Sequence, residues 1–208
     1  MNQKNSLGLN NCFMDVDDPI ELFKAWMNEA TKTEPNDPNA LSLATAGKNG
    51  VPTVRIVLLK DVNKNGFTFY TNFDSKKSMN IKENPNAAMC FHWKSLQRQI
   101  RVLGTVDKVE DKVADQYYNS RNYESRIGAW ASNQSEVLKK RNDLLEKIEN
   151  YKKKYPENTN VPRPKNWSGW NLNPKVIEFW LDGSSRIHER LEYVKINKNK
   201  WEKKLLSP

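Results

Sequence analysis

The sequence predicts a mainly β protein with flanking helices, in which antiparallel strands form a sheet that closes on itself. The first observation is a series of short apolar, β-branched runs separated by polar turns between residues 41 and 109. The second is that Asn49-Gly50 and Asn65-Gly66 lie between such runs, because Asn-Gly is the strongest short-range signal of a hairpin. The third is that so many antiparallel strands would leave exposed edges unless the sheet closed.

The first predicted element is a helix that begins at Asp18, an N-cap candidate, with Pro19 at its first position. Its apolar residues recur at helical spacing and would form one packing face: Leu22, Phe23, Trp26, Met27 and Ala30. A second, short helix is expected over residues 75–83. Strands are expected around it over residues 41–46, 51–62, 67–73, 87–93 and 99–109.

The second half of the chain is predicted to contain two helices, over residues 111–120 and 134–155. The longer helix carries an apolar stripe, which indicates a packing face and not a binding site. Residues 1–17 are Asn-rich and lack periodicity, so they are predicted to be a flexible N-terminal arm, followed by a single domain over residues 18–208. The last strands are expected over residues 167–180, 186–196 and 201–206.

The composition narrows the classes of function. The 208 residues include 10% aromatic residues, which argues against disorder, and no apolar run approaches the roughly 18 residues that span a bilayer. The first residues lack the basic and apolar regions of a signal peptide, so a cytoplasmic protein with no membrane partner is expected. Two cysteines and two histidines form no recognisable ligand set, and no metal is predicted.

The net charge of +9 indicates either nucleic acid or anionic small molecules as partners. Many lysines lie in residues 139–154 and 195–204, interleaved with Glu, Asp and Asn as on a solvated face. No nucleic-acid-binding motif is apparent, so anionic small molecules are favoured and no nucleic acid partner is expected.

Cations at the end of a strand and at the start of a helix predict an anion site. Arg55 and Lys60 bracket a four-residue apolar run, although an edge strand with a charge at each end fits this pattern equally well. Ser75, Lys76 and Lys77 begin the short helix, where two lysines oppose the helix dipole. Because a helix N-terminus binds phosphate readily, this arrangement favours a bound phosphate.

Two further clusters combine cations with polar groups. Tyr117 and Arg121 share a helix face at a spacing of four residues, and with Ser125 they indicate a second oxyanion pocket, although Arg121 could instead pair with a nearby Glu. In the predicted strand over residues 186–196, alternation would place Arg186, His188 and Arg190 on one face. Such a dense positive cluster needs anionic partners.

Six segments together carry a family resemblance: RIVLLK at 55–60, FYTNFDSKK at 69–77, RQIRVLG at 98–104, SRIGAWASNQS at 125–135, IEFW at 177–180 and RIHER at 186–190. On these motifs, their order and their spacing, the chain resembles the pyridoxine (pyridoxamine) 5′-phosphate oxidase family from about Asp18 to Pro208. The resemblance implies an FMN-binding split β-barrel of antiparallel, Greek-key-like topology. It also implies a homodimer with two FMN molecules at its interface.

The resemblance further implies a role for individual residues. The FMN phosphate would be held by Arg55, Ser75, Lys76 and Lys77, and the rest of the cofactor would be lined by Ile56, Val57, Leu58, Lys60, Tyr70 and Thr71. The cofactor site would be completed by Gln99 and, from the other subunit, by Gln134, Ser135, Trp180 and Arg190. The substrate phosphate would be clamped by Lys60, Tyr117, Arg121 and Ser125. Arg186 and His188 would be catalytic and lie over the substrate ring.

The reaction implied by the resemblance is the oxidation of pyridoxamine 5′-phosphate and pyridoxine 5′-phosphate to pyridoxal 5′-phosphate. O2 would be the electron acceptor, giving hydrogen peroxide, and the amine substrate would also release ammonia. This would be the final, salvage step of vitamin B6 cofactor synthesis. Two alternatives remain open: a related flavin oxidase acting on a non-phosphorylated aromatic substrate, as in phenazine biosynthesis, and a non-catalytic FMN-binding split barrel.

One segment and two single residues depart from the family pattern. The stretch before the first helix has only Lys4 as a cation and no Tyr, whereas the family often has a basic, Tyr-containing arm there. Leu205 stands where the family commonly has Arg. Lys76 stands where Arg is frequent, which keeps the charge but loses bidentate geometry.

Overall fold

The computed structural model describes residues 4–198 and 200–208, and this part of the chain contains nine strands and five α-helices. The helices are α1 (Pro19–Thr33), α2 (Lys76–Glu83), α3 (Asp111–Ser120), α4 (Tyr123–Ala131) and α5 (Arg141–Lys154). The strands are β1 (Ala40–Ala46), β2 (Pro52–Leu58), β3 (Asp61–Asn63), β4 (Gly66–Asn72), β5 (Asn86–Trp93), β6 (Arg98–Lys108), β7 (Trp167–Leu181), β8 (Glu189–Asn197) and β9 (Lys200–Leu205).

All nine strands belong to one antiparallel sheet, in the order β2-β1-β5-β6-β7-β4-β3, with β8 and β9 added beside β7. One edge of β7 pairs with β4 over its first residues and with β8 over its last, while β6 occupies the other edge. The sheet therefore divides at β7 and curves into a half-barrel with the helices at its sides. The predicted fold class, mainly β with flanking helices, is confirmed.

The interior of the half-barrel is filled mainly by aromatic rings. The ring of Phe23 in α1 lies 4.9 Å from that of Phe67 and 5.1 Å from that of Phe91, both in edge-to-face contact. Trp26, one turn further along, meets the ring of Phe179 at 5.2 Å. All five side chains are fully buried, which confirms the predicted packing face of α1 and ties the helix to both halves of the sheet.

The N-terminal segment packs against this core along residues 4–17. Phe13 is fully buried with its ring 5.3 Å from that of Trp26. The Nε1 of Trp26 donates a hydrogen bond to the carbonyl of Cys12 at 2.7 Å, and the hydroxyl of Tyr193 donates to the carbonyl of Val16 at 2.9 Å. Residues 1–3 of the predicted arm lie outside the described residues, and the flexibility of the arm stays a prediction.

The long helix of the second half of the chain begins later than predicted. The long helix predicted from residue 134 begins only at Arg141, because Ser135 adopts a φ of 75° and the chain there is not helical. The sequence SRIGAWA before it lies in α4, a helix that was not predicted. The side chain of Asn122 caps α4 by accepting a hydrogen bond from the amide of Ser125 at 2.8 Å.

No helix within the described part of the chain is long and apolar enough to cross a membrane.

The strand predicted over residues 186–196 also begins later than expected. Strand β8 begins at Glu189 and not at residue 186, because Ser185 and Arg186 take φ values of 57° and 64°. The prediction that Arg186, His188 and Arg190 share one strand face is therefore wrong. Arg186 lies in a single 3-10 turn, and only Arg190 lies in the strand.

Candidate functional site

A cavity of about 480 Å³ lies between the end of β2, the strand β4 and the helices α3 and α4. The cavity gathers most residues that the sequence predicted for a cofactor and a substrate phosphate. Those for the cofactor are Ile56, Val57, Leu58, Lys60, Tyr70, Thr71, Lys77 and Gln134, and those for the substrate are Lys60, Tyr117, Arg121 and Ser125. Asn122 and Trp167 complete its wall and were not predicted.

One end of the cavity is formed by the buried ammonium group of Lys77. Its Nζ donates hydrogen bonds to Thr71 Oγ1 at 2.9 Å, Ser75 Oγ at 3.1 Å and Gln134 Oε1 at 3.0 Å. All three acceptors are neutral. Burial, with the cation of Arg55 nearby, lowers the pKa of Lys77 to about 8.

Arg55 lies close to Lys77 and has the same kind of surroundings. Its Nη1 donates to Thr45 Oγ1 at 2.8 Å and to the carbonyl of Leu43 at 3.0 Å, and its Nη2 donates to the hydroxyl of Thr53. Desolvation lowers the pKa of Arg55 below its ordinary value. Two neighbouring cations thus have neutral partners only, within the described residues, so their arrangement suits an added anion.

The start of α2 adds backbone donors to this end of the cavity. Ser75 is the N-cap residue, but its hydroxyl donates to the carbonyl of Asn72 at 2.6 Å and does not cap its own helix. The amide of Lys76 reaches the hydroxyl of Ser135 at 3.3 Å. The N-terminus of α2 therefore lies beside the ammonium group of Lys77, with Arg55 close to that group, an arrangement that suits a phosphate.

Gln134 and Ser135 were expected to come from the other subunit, and this part of the prediction is wrong. Within one chain, Gln134 contacts Lys77 and Ser135 contacts Lys76. The segment after α4 is not helical, because Ser132 is extended and residues 133–136 form a turn in which Ser135 takes a positive φ. This backbone path carries both side chains back to the start of α2.

The other end of the cavity is an aromatic wall with a half-buried guanidinium. The rings of Tyr70 and Tyr117 stack at 3.9 Å, and Trp167 lies parallel to Tyr70 at 5.5 Å. The guanidinium carbon of Arg121 lies 4.7 Å from the Trp167 ring. Desolvation lowers the pKa of Arg121, and its buried Nη1 has no hydrogen-bond partner among the described residues.

Arg121 and its neighbours reach the cavity by a route that differs in part from the predicted one. Helix α3 ends at Ser120, and Arg121 is its extended C-cap residue, so Tyr117 and Arg121 meet across a helix end and not on a continuous helix face. Ser125 then lies in the first turn of α4, and Lys60 follows β2. The three predicted polar residues and Lys60 still face one space.

Gln99, Trp180 and Arg190 form a separate row across three neighbouring strands. Gln99 in β6 is paired with Trp180 in β7, and Trp180 is paired with Arg190 in β8. None of the three lines the cavity of Lys77 and Arg121. The predicted cofactor residues therefore fall into two groups within one chain, which we call the cavity group and the sheet group.

A buried carboxylate holds the sheet group in place. The side chain of Glu178 is 4% exposed and accepts hydrogen bonds from Arg190 Nε at 2.8 Å and from Arg101 Nε at 3.0 Å. Burial alone would raise the pKa of Glu178, but the hydrogen bonds from Arg190 and Arg101 outweigh it and lower the pKa below its ordinary value. Arg190 Nη1 also donates to the carbonyl of Ser207 at 2.7 Å, so Glu178 and Ser207 together fix the guanidinium of Arg190.

The two residues predicted to be catalytic lie beside the sheet group, in the turn between β7 and β8. The imidazole of His188 contacts the ring of Trp180 at 4.6 Å. Arg186 precedes it in a strained, left-handed conformation with a φ of 64°. Strain of this kind costs on the order of 1–3 kcal/mol per residue and is common at functional sites.

The outer face of the sheet next to these groups is apolar. Cross-strand pairing aligns one row of residues on it: Val54, Ala44, Ala88, Leu103 and Val176. Val54 is 68% exposed and Leu103 is 47% exposed. An exposed apolar row of this width is typical of a surface that a protein partner covers.

Sequence reasoning missed four residues of these groups. Trp167 is the first residue of β7 and gave only an aromatic signal, and Asn122 gave a weak N-cap signal before an unpredicted helix. Glu178 had the stronger signal, because an acidic residue inside an otherwise apolar strand needs a cationic partner. Asp182 had none, since its contact with His188 depends on the shape of the turn.

The residues of the cavity fit a phosphorylated flavin. Buried Lys77 and half-buried Arg55 have only neutral partners among the described residues, which suits a phosphate. The exposed apolar side chain of Ile56, on the strand beside them, suits a flat ring. The orphaned Nη1 of Arg121 at the other end would remain free for a second anion.

Comparisons with known proteins agree with this arrangement. Residues 27–155 match the family model described as pyridoxamine 5′-phosphate oxidase, and residues 167–208 match the one described as pyridoxine 5′-phosphate oxidase C-terminal dimerisation region. A pyridoxine/pyridoxamine 5′-phosphate oxidase of Pelagibacter ubique (strain HTCC1062) is 65% identical over the full length of both chains. One of Brucella canis is 49% identical over 94% of this chain and 97% of its own.

Two solved structures share the fold. PhzG from Burkholderia lata 383, in complex with tetrahydrophenazine-1-carboxylic acid, superposes with a TM-score of 0.87 at 28% identity, over 95% of this chain and 96% of its own. A pyridoxamine 5′-phosphate oxidase-related, FMN-binding protein from Nostoc punctiforme PCC 73102 gives 0.74 at 16% identity, over 94% and 100%. Since the family models together span most of the chain and the sequence relatives match it end to end, the chain belongs to the pyridoxamine 5′-phosphate oxidase family.

Proposed function

We propose that this protein oxidises pyridoxamine 5′-phosphate and pyridoxine 5′-phosphate to pyridoxal 5′-phosphate, the last step of vitamin B6 cofactor salvage. The observation that carries the proposal is that one cavity is lined by cations from separate elements: Lys77, with Arg55 close to it, and Arg121 and Lys60. A phosphorylated cofactor and a phosphorylated substrate together supply two anions. The relatives of 65% and 49% identity carry the name of this activity.

The cofactor in this proposal is FMN. Its phosphate would be held by Arg55, Ser75, Lys76 and Lys77, and the rest of it by Ile56, Val57, Leu58, Lys60, Tyr70, Thr71, Gln134 and Ser135. Bound flavin supplies a two-electron acceptor, and O2 would reoxidise it with release of hydrogen peroxide. The protein contributes binding, orientation and electrostatics around it.

The sheet group would serve the cavity of a second subunit. The chain forms a homodimer, since residues 167–208 correspond to a dimerisation region. The exposed apolar row through Val54 and Leu103 would supply a surface for that contact. In the dimer, Gln99, Trp180 and Arg190 of one subunit would complete the cofactor site of its partner, because within one chain they stand apart from the cavity.

Four side chains would act on the substrate phosphate and two on its ring. Lys60, Tyr117, Arg121 and Ser125 would bind the phosphate, with the orphaned Nη1 of Arg121 gaining its missing acceptor. Arg186 and His188 would hold the pyridine ring and its substituents, and Arg186 would assist removal of the amine or hydroxyl proton. The expected cytoplasmic location stays a prediction.

A spectrum and one assay test this function. The purified protein should be yellow, with a flavin released on denaturation, and should convert pyridoxamine 5′-phosphate to pyridoxal 5′-phosphate with one peroxide per product. Pyridoxamine without its phosphate is the matched substrate control and should react poorly. Tight flavin binding without turnover of either phosphorylated substrate would refute the proposal.

One alternative reaction has an observation in its favour. The structure that superposes at a TM-score of 0.87 is a PhzG in complex with tetrahydrophenazine-1-carboxylic acid, a ring without phosphate. A carboxylate could also accept from the unpartnered donor of Arg121, but two cations, Arg121 and Lys60, line the cavity and suit a dianionic phosphate better than a single carboxylate. Faster oxidation of a dihydroaromatic carboxylic acid than of pyridoxamine 5′-phosphate would favour the alternative.

A further inference from the structure

The imidazole of His188 is held on one edge by an acidic residue of its own turn. The Oδ1 of Asp182 lies 3.0 Å from His188 Nδ1. The amide of Asp182 donates to the carbonyl of Gln97 at 2.9 Å, so the backbone of Asp182 is anchored to the residue that precedes β6. The His188 side chain is 21% exposed, whereas that of Asp182 is 43% exposed.

The turn between these two residues is tight, and a glycine makes it possible. A Cβ at residue 183 would lie 1.9 Å from the carbonyl oxygen of Ile187, so only glycine fits there. This close approach returns the chain toward Asp182 and brings His188 within reach of the carboxylate. Trp180 covers one side of the imidazole at 4.6 Å.

Two groups compete for Nδ1 of His188. The amide of Gly183 lies 3.2 Å away and could donate to a lone pair on Nδ1, whereas Asp182 at 3.0 Å could accept a proton from it. A lone pair facing a carboxylate at this distance is repelled, and a hydrogen bond to a charged acceptor is the stronger of the two. The carboxylate is therefore the stronger hydrogen-bond partner of Nδ1, and Nδ1 carries the proton.

We propose that Asp182 is a positioning residue for His188, which keeps a proton on Nδ1 and so presents the lone pair of Nε2 to the substrate. This inference rests on the proposed function, in which His188 contacts the substrate ring. A neutral imidazole protonated on Nδ1 has an acceptor at Nε2. His188 then accepts a hydrogen bond from an O–H or N–H substituent of the ring, and Asp182 acts only through it.

The direct test is the position of the proton in the wild-type holoenzyme. Long-range ¹⁵N–¹H correlation spectra of histidine-labelled protein distinguish the two neutral tautomers, and the chain has only two histidines. Exposed His92 gives an internal reference. At alkaline pH, where imidazoles are neutral, we expect His188 to be protonated on Nδ1, and D182N to move the proton to Nε2, because an amide can donate to Nδ1 and a carboxylate cannot.

The kinetic test uses the same variant. D182N should lower kcat/KM for pyridoxamine 5′-phosphate by at least about tenfold, as expected for loss of one charge-assisted hydrogen bond. FMN affinity and the thermal midpoint should stay near the wild-type values, because Asp182 is half-exposed. S184A is the matched control: it changes the same turn without touching His188 and should leave the proton on Nδ1 and the rate unchanged.

The outcomes separate this inference from the proposed function. A wild-type enzyme that oxidises its substrates but carries the His188 proton on Nε2 overturns the role of Asp182 alone. An unchanged tautomer in D182N also overturns it. A wild-type protein with the proton on Nδ1 that oxidises neither phosphorylated substrate supports the role of Asp182 in holding His188 and refutes the proposed reaction.

Discussion

The guanidinium of Arg121 lies 4.7 Å from the ring of Trp167, and its Nη1 is buried without a hydrogen-bond partner among the described residues. The aromatic face fixes the plane of the guanidinium, while the buried donor lacks an acceptor in the described part of the chain. Rigid placement of an unsatisfied cation is costly for a purely structural residue. It is the expected arrangement for a residue that binds an anionic group.

We therefore expect Arg121→Ala to raise KM for pyridoxamine 5′-phosphate about 30-fold, which corresponds to the roughly 2 kcal/mol of a charged hydrogen bond. Arg121→Lys should recover only part of this, since an ammonium group lacks the planar fork that stacks on Trp167. Steady-state kinetics with both phosphorylated substrates measure the effect. Arg141→Ala, at the exposed start of α5, is the control.

The same variant should not worsen the reaction of pyridoxamine, which has no phosphate to lose. If Arg121→Ala reduces the rates with pyridoxamine and with its phosphate by equal factors, Arg121 supports the fold or the flavin and does not bind the substrate phosphate. An unchanged KM for the phosphorylated substrate would remove the assignment altogether.

Lys77 makes cofactor binding dependent on pH. Because burial and Arg55 lower the pKa of Lys77 to about 8, the free protein loses this cation above that pH. The charged form binds phosphate, so FMN affinity should be full near pH 7 and fall as the pH rises, by at most about tenfold per unit. Titration of flavin fluorescence at several pH values measures the dissociation constant directly.

Lys77→Gln should bind FMN weakly at pH 7 and lose most of this dependence. Lys82→Gln, at the exposed end of the same helix, should behave like the wild type. A wild-type affinity that stays constant between about pH 7 and 9.5 would show that another cation dominates the phosphate site.

The sequence was most informative where function depends on local chemistry. Ser75, Lys76 and Lys77 were recognisable because a helix N-terminus and its dipole lie within a few residues of one another in the chain. Similarly, the alternation of apolar and polar residues predicted the ends of β6 and β7 to within one residue. This worked because each strand buries one face against the core.

Relations set by the fold could not be predicted in this way. The helix was predicted to begin at Gln134, but the chain forms a turn over residues 133–136, and this turn brings Gln134 to Lys77. The turn before β8 has strand-like residues, yet Gly183 and the positive φ of Ser185 reverse the chain and bring Asp182 to His188. Local propensity carries no information on such long-range contacts.

Glu178 supports the sheet group through a buried ion-pair network. Glu178→Gln would leave Arg190 and Arg101 without a charged partner, so we expect the free energy of unfolding to fall by about 3 kcal/mol. Chemical denaturation measures this. Glu192→Gln is the matched control, because Glu192 lies directly opposite Glu178 on β8 and forms no ion pair within the described residues.

The free energy of unfolding that Glu178→Gln loses should depend on pH. The folded protein lowers the pKa of Glu178 below its ordinary value of 4.5, so the carboxylate stabilises the fold above about that pH and loses its contribution as the pH falls through the folded-state pKa. The difference between wild type and Glu178→Gln should thus be largest near neutrality and shrink in acid. A difference that grows on acidification would contradict this network.

The exposed apolar row through Val54 predicts how dimerisation and cofactor binding are linked. Val54→Glu would bury a carboxylate without a partner at the subunit contact, so the dimer dissociation constant should rise at least about 100-fold. Sedimentation velocity measures the dimer, and flavin fluorescence measures FMN affinity at the same concentrations. Because the sheet group would then leave its partner's cavity, FMN affinity should fall as the dimer dissociates.

Val137→Glu is the matched control for this substitution, since Val137 is 95% exposed but lies in the segment between α4 and α5 and not on a strand of the sheet. It should leave both the dimer and FMN binding intact. If monomeric Val54→Glu protein binds FMN as tightly as the wild-type dimer, the cavity group alone suffices for the cofactor. Gln99, Trp180 and Arg190 would then serve the substrate or the dimer contact, and the proposed sharing of the cofactor between subunits would be wrong.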